Sequence, residues 1–132
     1  MHNHELYRIC KYLKPKIFQD NALIFEAGRP LDLMIYIVSG YVHAHPPISD
    51  PREAPSQIET LEKGMFVGEQ LLDWATRTKT FTDQPPSERT FRCPKKVEAF
   101  VLSVGDLKTL VSKGILPNNS AGGSFRQSLA VR

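Results

Sequence analysis

A glycine-spaced segment from Gly64 to Leu72 contains the residue types that could bind an anion. Gly68 lets the backbone adopt a positive φ or approach a ligand closely, and the residues after it have helical character. The first amides of a helix lack intrahelical acceptors and lie at the positive end of its dipole. Amides arranged in this way bind phosphate, so the segment is a candidate phosphate cradle. A glycine before a short helix is also common in purely structural turns, which is the alternative.

Arg89 is the second candidate, because it opens a strand directly after a polar loop. Its guanidinium can pair with two phosphate oxygens, and such charge-assisted hydrogen bonds contribute about 1.5–3 kcal/mol each. The alternative is a solvated arginine near Glu88 or Asp83. Glu69 could accept hydrogen bonds from a pair of sugar hydroxyls, or could be an acidic residue that the helix dipole favours.

Helices are predicted before, within and after the region that holds these candidates. Apolar residues at helical spacing predict a helix over 4–13, which Lys14-Pro15 closes. A second helix, Glu69 to Ala75, lies among strands. A terminal helix is predicted over 106–112, with Ser103 or Asp106 as its N-cap.

Short runs of branched and aromatic residues, separated by turn residues, predict strands between 18 and 102. Many short strands at close spacing favour a sandwich, a jelly roll or a barrel. We therefore expect one domain over 1–112, followed by a flexible tail over 113–132. The predicted strands are 23–25, 33–38, 41–45, 58–61, 89–93 and 97–102.

Composition excludes several functional classes. The 17 basic and 14 acidic residues give a net charge of only +3, too small to indicate nucleic acid as a partner. No apolar run approaches the roughly 20 residues that span a bilayer, and no secretory signal is visible. Cys10 and Cys93 match neither a zinc pattern nor a disulfide framework. His43 and His45 share a strand face but have no third ligand, and no serine has a paired histidine and acid, so neither a metal nor catalysis is expected.

Several of these segments, in order, resemble a known family. Gly28 to Gly40 is similar to the early strand pair of cyclic-nucleotide-binding domains, and Gly64 to Leu72 followed by Arg89-Thr90 resembles their phosphate-binding cassette. The resemblance covers about residues 5–112. Three segments resemble the cytosolic sensor of plant cyclic-nucleotide-gated channels in particular: Leu13-Lys14-Pro15, Gly68 to Ala75 and Val97 to Phe100.

The resemblance implies a mainly β fold with flanking helices: a double-stranded β-jelly-roll with an internal phosphate-binding helix and with cAMP or cGMP bound inside it. It assigns Glu69 to the ribose 2′-hydroxyl, Arg89 to the cyclic phosphate, and Thr90 to the phosphate or a guanine edge. It implies no enzyme activity and no cofactor besides the ligand. Three residues would supply backbone amides: Gly68, Gln70 and Leu71.

The implied function is that of the regulatory sensor of a ligand-gated, non-selective cation channel. Such channels are tetramers, and the sensor lies at the cytosolic face of the plasma membrane; as an isolated fragment it would be soluble in the cytosol. Calmodulin is also an implied partner, but the basic, aromatic-rich segment that binds it is absent from the sequence.

The resemblance ends after Ser112, because Gly114, Pro117 and Gly122-Gly123 oppose the long helix that the family has there. The sequence is therefore interpreted as an isolated domain, a truncated gene product or a domain joined to an unrelated tail. We expect it to bind weakly and to discriminate poorly between cAMP and cGMP. The alternative is a degenerate domain that binds no nucleotide and acts as a protein-interaction module.

Overall fold

The computed structural model describes residues 9–50 and 52–117, and short antiparallel strands dominate this part of the chain. Two helices, α1 (Gln70–Ala75) and α2 (Val104–Ser112), accompany the strands. The strands are β1 (Lys14–Phe18), β2 (Ala22–Phe25), β3 (Leu33–Ser39), β4 (Tyr41–His45), β5 (Glu59–Glu62), β6 (Phe66–Val67), β7 (Thr90–Cys93) and β8 (Val97–Ser103).

The strands form two four-stranded sheets, in the orders β1-β8-β3-β6 and β2-β7-β4-β5. Every pairing is antiparallel. Alternate residues of a strand point to opposite faces, and the fully buried Ile35 and Ile37 of the first sheet belong to the same core cluster as Val42 and Ala44 of the second. The two sheets therefore pack face to face around one core, as in a jelly roll.

Helix α1 lies in the connection from β6 to β7, which crosses from one sheet to the other. Its Leu71, Leu72 and Ala75 are buried, and the helix packs against α2 and β3. The burial of these apolar side chains fixes α1 to the sheets, so its first residues are held at the edge of the core.

Helix α2 is capped at both ends. The Ser103 hydroxyl accepts a hydrogen bond from the Asp106 amide at 3.1 Å, so Ser103 is the N-cap of the two candidates. The helix begins at Val104, two residues before the predicted start. At its end Gly114 has a φ of +73°, the left-handed conformation with which helices commonly terminate.

The predicted boundary of the tail, residue 113, is too early. The amides of Ile115 and Leu116 donate to the Leu110 carbonyl at 2.9 and 3.2 Å, and the Leu116 side chain is fully buried. Residues 113–117 therefore pack on the domain, whereas residues 118–132 lie outside the described residues.

The first strand is the main departure from the predicted elements. Lys14 and Pro15 belong to β1, where the sequence predicted the end of a helix, so the sheet begins four residues before Phe18. Pro15 is tolerated because β1 is an edge strand, and an edge position can dispense with one N–H donor. The helix predicted over 4–13 falls largely outside the described residues. Of its residues that the structure describes, 9–13, Ile9 and Cys10 are helical and 11–13 are not.

Candidate functional site

Gly68 occupies a position that only glycine fits. Its φ is +84°, and a Cβ atom there would lie 2.8 Å from the Leu33 carbonyl oxygen and 3.4 Å from the Phe25 ring. The left-handed backbone disfavours a side chain, and the close approach to β3 leaves no room for one. The chain thereby turns tightly from β6 into α1, as the sequence predicted for this glycine.

Some of the backbone amides at the start of α1 already donate hydrogen bonds within the protein, and others do not. The Leu71 amide donates to the Gly68 carbonyl at 3.0 Å, so a ligand would have to share it. Among the described residues, the amides of Glu69 and Gln70 have no hydrogen-bond acceptor, as expected for the first residues of a helix. Since α1 has only six residues, these local N–H groups, rather than a long helix dipole, are what it could offer an anion.

The Glu69 side chain is half-buried at the N-cap position and makes no capping hydrogen bond. Within the described part of the chain its carboxylate has no salt-bridge partner either. The side chain is thus available to a hydroxyl-bearing ligand, the role that the resemblance assigns to it.

Arg89 lies at the inner face of the second sheet. Its guanidinium carbon is 5.3 Å from the centre of the Phe91 ring, a cation–π distance. Its Nη1 donates to Glu59 Oε1 at 2.6 Å. The partner is therefore Glu59 on β5, and not Glu88 or Asp83, the neighbours that the sequence suggested.

Two aromatic rings connect Arg89 to Gly68. Phe25 and Phe91 are buried and meet edge to face, with their centroids 6.0 Å apart. Phe25 approaches Gly68, and Phe91 lies beneath the Arg89 guanidinium. The start of α1 and the guanidinium therefore flank the same aromatic pair, although they are 21 residues apart in sequence.

Ser87 holds the backbone of Arg89 in place. The Ser87 hydroxyl donates to the Arg89 carbonyl at 2.6 Å, while its own amide and carbonyl bond to Arg29 and Gly28, each at 2.8 Å. Ser87 is only 3% exposed. The glycine turn before β3 thus anchors the strand entrance that carries the arginine, a role that no sequence signal indicated.

Thr90 is placed differently from Arg89. Its hydroxyl accepts a hydrogen bond from the Ala27 amide at 3.1 Å, and it lines a cavity of about 390 Å³ together with His45 and Arg92. Because successive residues of a strand point to opposite faces, this cavity lies on the outer face of the sheet. The structure does not bring the Thr90 hydroxyl together with the Arg89 guanidinium, and its ligand role remains a prediction.

The two strand histidines have local partners. The His43 ring lies 5.3 Å from that of Tyr41, and His45 Nδ1 donates to the Pro46 carbonyl at 2.8 Å. Among residues 9–50 and 52–117, no three His, Cys, Asp or Glu side chains are grouped so that they could hold a metal ion. In the same part of the chain, neither helix has the length and apolar character needed to span a membrane.

Known proteins are similar to this chain in sequence and in fold, although no protein-family profile matches it. Over 103 residues, 78% of this chain, it is 37% identical to cyclic nucleotide-gated ion channel 2 of Arabidopsis thaliana, and the match spans 14% of that protein. The solution structure of the cNMP-binding domain from an Arabidopsis thaliana cyclic nucleotide-regulated ion channel matches with a TM-score of 0.70 and 30% identity, covering 92% of this chain and 88% of that one. The catabolite activator protein of Thermus thermophilus has a TM-score of 0.66 at 17% identity, over all of this chain and 55% of that one, and it shows the shared fold alone.

The architecture is that of the jelly-roll cNMP-binding domains, mainly β with flanking helices. Within that class, the chain belongs to the family of cNMP-binding domains found in plant cyclic nucleotide-gated ion channels. The fold class and the resemblance predicted from the sequence are both confirmed. The chain spans about 14% of the length of the curated channels that it matches.

Proposed function

We propose that this domain binds a cyclic nucleotide, cAMP or cGMP, between the start of α1 and Arg89. The Arg89 guanidinium pairs with the cyclic phosphate, and the Gly68 and Gln70 amides face the phosphate oxygens. The Glu69 carboxylate accepts a hydrogen bond from the ribose 2′-hydroxyl. Leu71 contributes its amide only as a shared donor, because the Gly68 carbonyl already accepts from it.

The observation that carries this proposal is that Gly68 and Arg89 flank one buried aromatic pair, Phe25 and Phe91. A compact anion could be gripped from both sides there, by N–H groups on one side and by a guanidinium on the other. The Arg89 side chain is 36% exposed, so its guanidinium is accessible to a ligand while it lies over the Phe91 ring.

The proposal extends to regulation. The curated relatives are cyclic nucleotide-gated ion channels, and we take this domain to be the regulatory sensor of a ligand-gated, non-selective cation channel. Subunits of that channel form a tetramer, and the sensor lies at the cytosolic face of the plasma membrane. A ligand shifts such a gate only by binding one arrangement of the domain better than another. Helix α2 packs on both α1 and β8. It therefore links the helix at the start of the site to the last strand of the jelly roll.

Isothermal titration of the 132-residue protein with cAMP and with cGMP tests the proposal. Loss of one charge-assisted contact of about 1.5–3 kcal/mol predicts that Arg89→Ala weakens binding roughly 10- to 100-fold. Arg92→Ala is the matched control, since Arg92 lies on the opposite face of β7 and donates to the Asn21 carbonyl at 2.9 Å. Equal affinities of Arg89→Ala and the wild type would refute the proposal.

One observation favours a second candidate, an interaction module that binds no nucleotide. Arg89 already has an anionic partner in Glu59, at 2.6 Å, so a phosphate is not needed to satisfy its charge. On this reading, neither nucleotide gives saturable heat in the titration, and Arg89→Ala changes only stability. Calmodulin binding remains a prediction from the resemblance, and poor discrimination between cAMP and cGMP remains a prediction from the sequence.

A further inference from the structure

One acidic side chain shares the inner face of the second sheet with Arg89. Glu59 is paired across the sheet with Ala44, and Ala44 is paired with Phe91. Directly opposed residues project from the same face of a sheet, so Glu59 lies on the face of the buried aromatic ring. From there its Oε1 accepts from Arg89 Nη1 at 2.6 Å.

We infer that Glu59 is a built-in competitor for Arg89 that lowers the affinity of the domain for cyclic nucleotides. The inference rests on the proposed function. A carboxylate and a phosphodiester offer the same kind of oxygen acceptor to a guanidinium. A bound phosphate must therefore displace Glu59 from Nη1 or accept the remaining N–H groups beside a second negative charge. Either outcome weakens binding relative to a site without that charge.

The size of the effect follows from exposure. The side chains of Arg89 and Glu59 are 36% and 58% exposed, so water screens both their attraction and the repulsion between Glu59 and a phosphate. We expect removal of the Glu59 charge to tighten binding about 1.5- to fivefold, since exposed ion pairs are individually weak. The competitor thus raises the nucleotide concentration at which the sensor responds without abolishing binding.

Strand β5 offers a matched pair of variants. Glu59→Gln removes the charge and keeps the shape of the side chain. Glu62→Gln makes the same change on the same strand, at the far end and on the opposite face, where Glu62 is paired with Tyr41. Both residues are exposed, so neither substitution disturbs the core, and thermal melts verify that both variants fold.

Isothermal titrations of the wild type, the two variants and Arg89→Ala with cAMP and with cGMP test the inference. We expect Glu59→Gln to bind about 1.5- to fivefold more tightly than the wild type, as the weakness of an exposed ion pair indicates, and Glu62→Gln to match the wild type. If the wild type gives no binding signal and Glu59→Gln does, that result would support the inference equally.

Two patterns would overturn it, and they are distinguishable. If the wild type binds, Arg89→Ala binds at least tenfold more weakly, and Glu59→Gln binds no more tightly than the wild type, the proposed function stands and Glu59 is no competitor. In the weaker-binding case Glu59 would instead position the guanidinium. If neither the wild type nor Glu59→Gln binds, or if Arg89→Ala binds as the wild type does, the proposed function fails and the inference fails with it.

Discussion

Replacing Gly68 with alanine should destabilise the domain more than replacing Gly64, although both glycines have nearly the same backbone conformation. Their φ angles are +84° and +88°. A Cβ atom at Gly68 would lie 2.8 Å from the Leu33 carbonyl oxygen, whereas a Cβ atom at Gly64 meets nothing within 4 Å. The pair therefore separates the cost of the left-handed backbone from the cost of the close approach to β3.

The magnitudes follow from these two terms. A left-handed alanine costs roughly 1–2 kcal/mol, partly offset because alanine reduces the entropy of the unfolded chain by about 0.4–1 kcal/mol; both variants share this net cost. The clash at Gly68 is with backbone and cannot be relieved by a rotamer change, so a shift typical of overpacking adds about 1–3 kcal/mol. We expect Gly68→Ala to lose that much more unfolding free energy than Gly64→Ala.

Urea unfolding of both variants and the wild type, followed by circular dichroism at 25 °C, measures the difference. Equal m-values would show that the free energies can be compared directly. Because Gly68 directly precedes Glu69, the N-cap of α1, the same substitution should also weaken cyclic-nucleotide binding. Indistinguishable midpoints for the two variants would refute the account of how α1 is positioned.

Two further substitutions test the surroundings of the site. Thr90→Val leaves the part-buried Ala27 amide without its acceptor and should cost about 1–3 kcal/mol of unfolding free energy; Thr90→Ser keeps the hydroxyl, and an equal loss in both would contradict the role given to this bond. Leu116→Ala truncates a fully buried side chain and should cost about 2–4 kcal/mol in urea unfolding. A cost under about 0.5 kcal/mol, as at surface positions, would place Leu116 outside the domain.

Much of the fold was predictable because local patterns and tertiary structure agree. Strand β4 was predicted over its observed range. Strand β3 was predicted over 33–38, one residue short of its observed end at Ser39. Branched and aromatic residues between glycine turns leave few alternatives to short strands. Lys14–Phe18 was not predicted, because Pro15 indicates a helix end unless the strand is known to lie at a sheet edge. That knowledge requires the pairing with β8.

The sequence could single out individual residues of the site, but not the contacts that these residues make with the rest of the domain. The glycine before a short helix and the arginine after a polar loop are local signals, so Gly68 and Arg89 could be singled out. The pairing of Arg89 with Glu59 depends on the register of β4 with both β5 and β7, which no local pattern reveals. The buried Ser87, which holds the Arg89 backbone, gave no signal for the same reason.

Amide NMR titration of the protein with cAMP tests most directly whether an anionic ring is held between the start of α1 and Arg89. The account predicts that the amide resonances of Gly68 and Gln70 and the Nε resonance of Arg89 shift along one saturable curve. In Arg89→Ala, the Gly68 and Gln70 shifts should need a roughly 10- to 100-fold higher cAMP concentration. Shifts confined to the outer-face cavity around His45 and Arg92, or none at all, would contradict it.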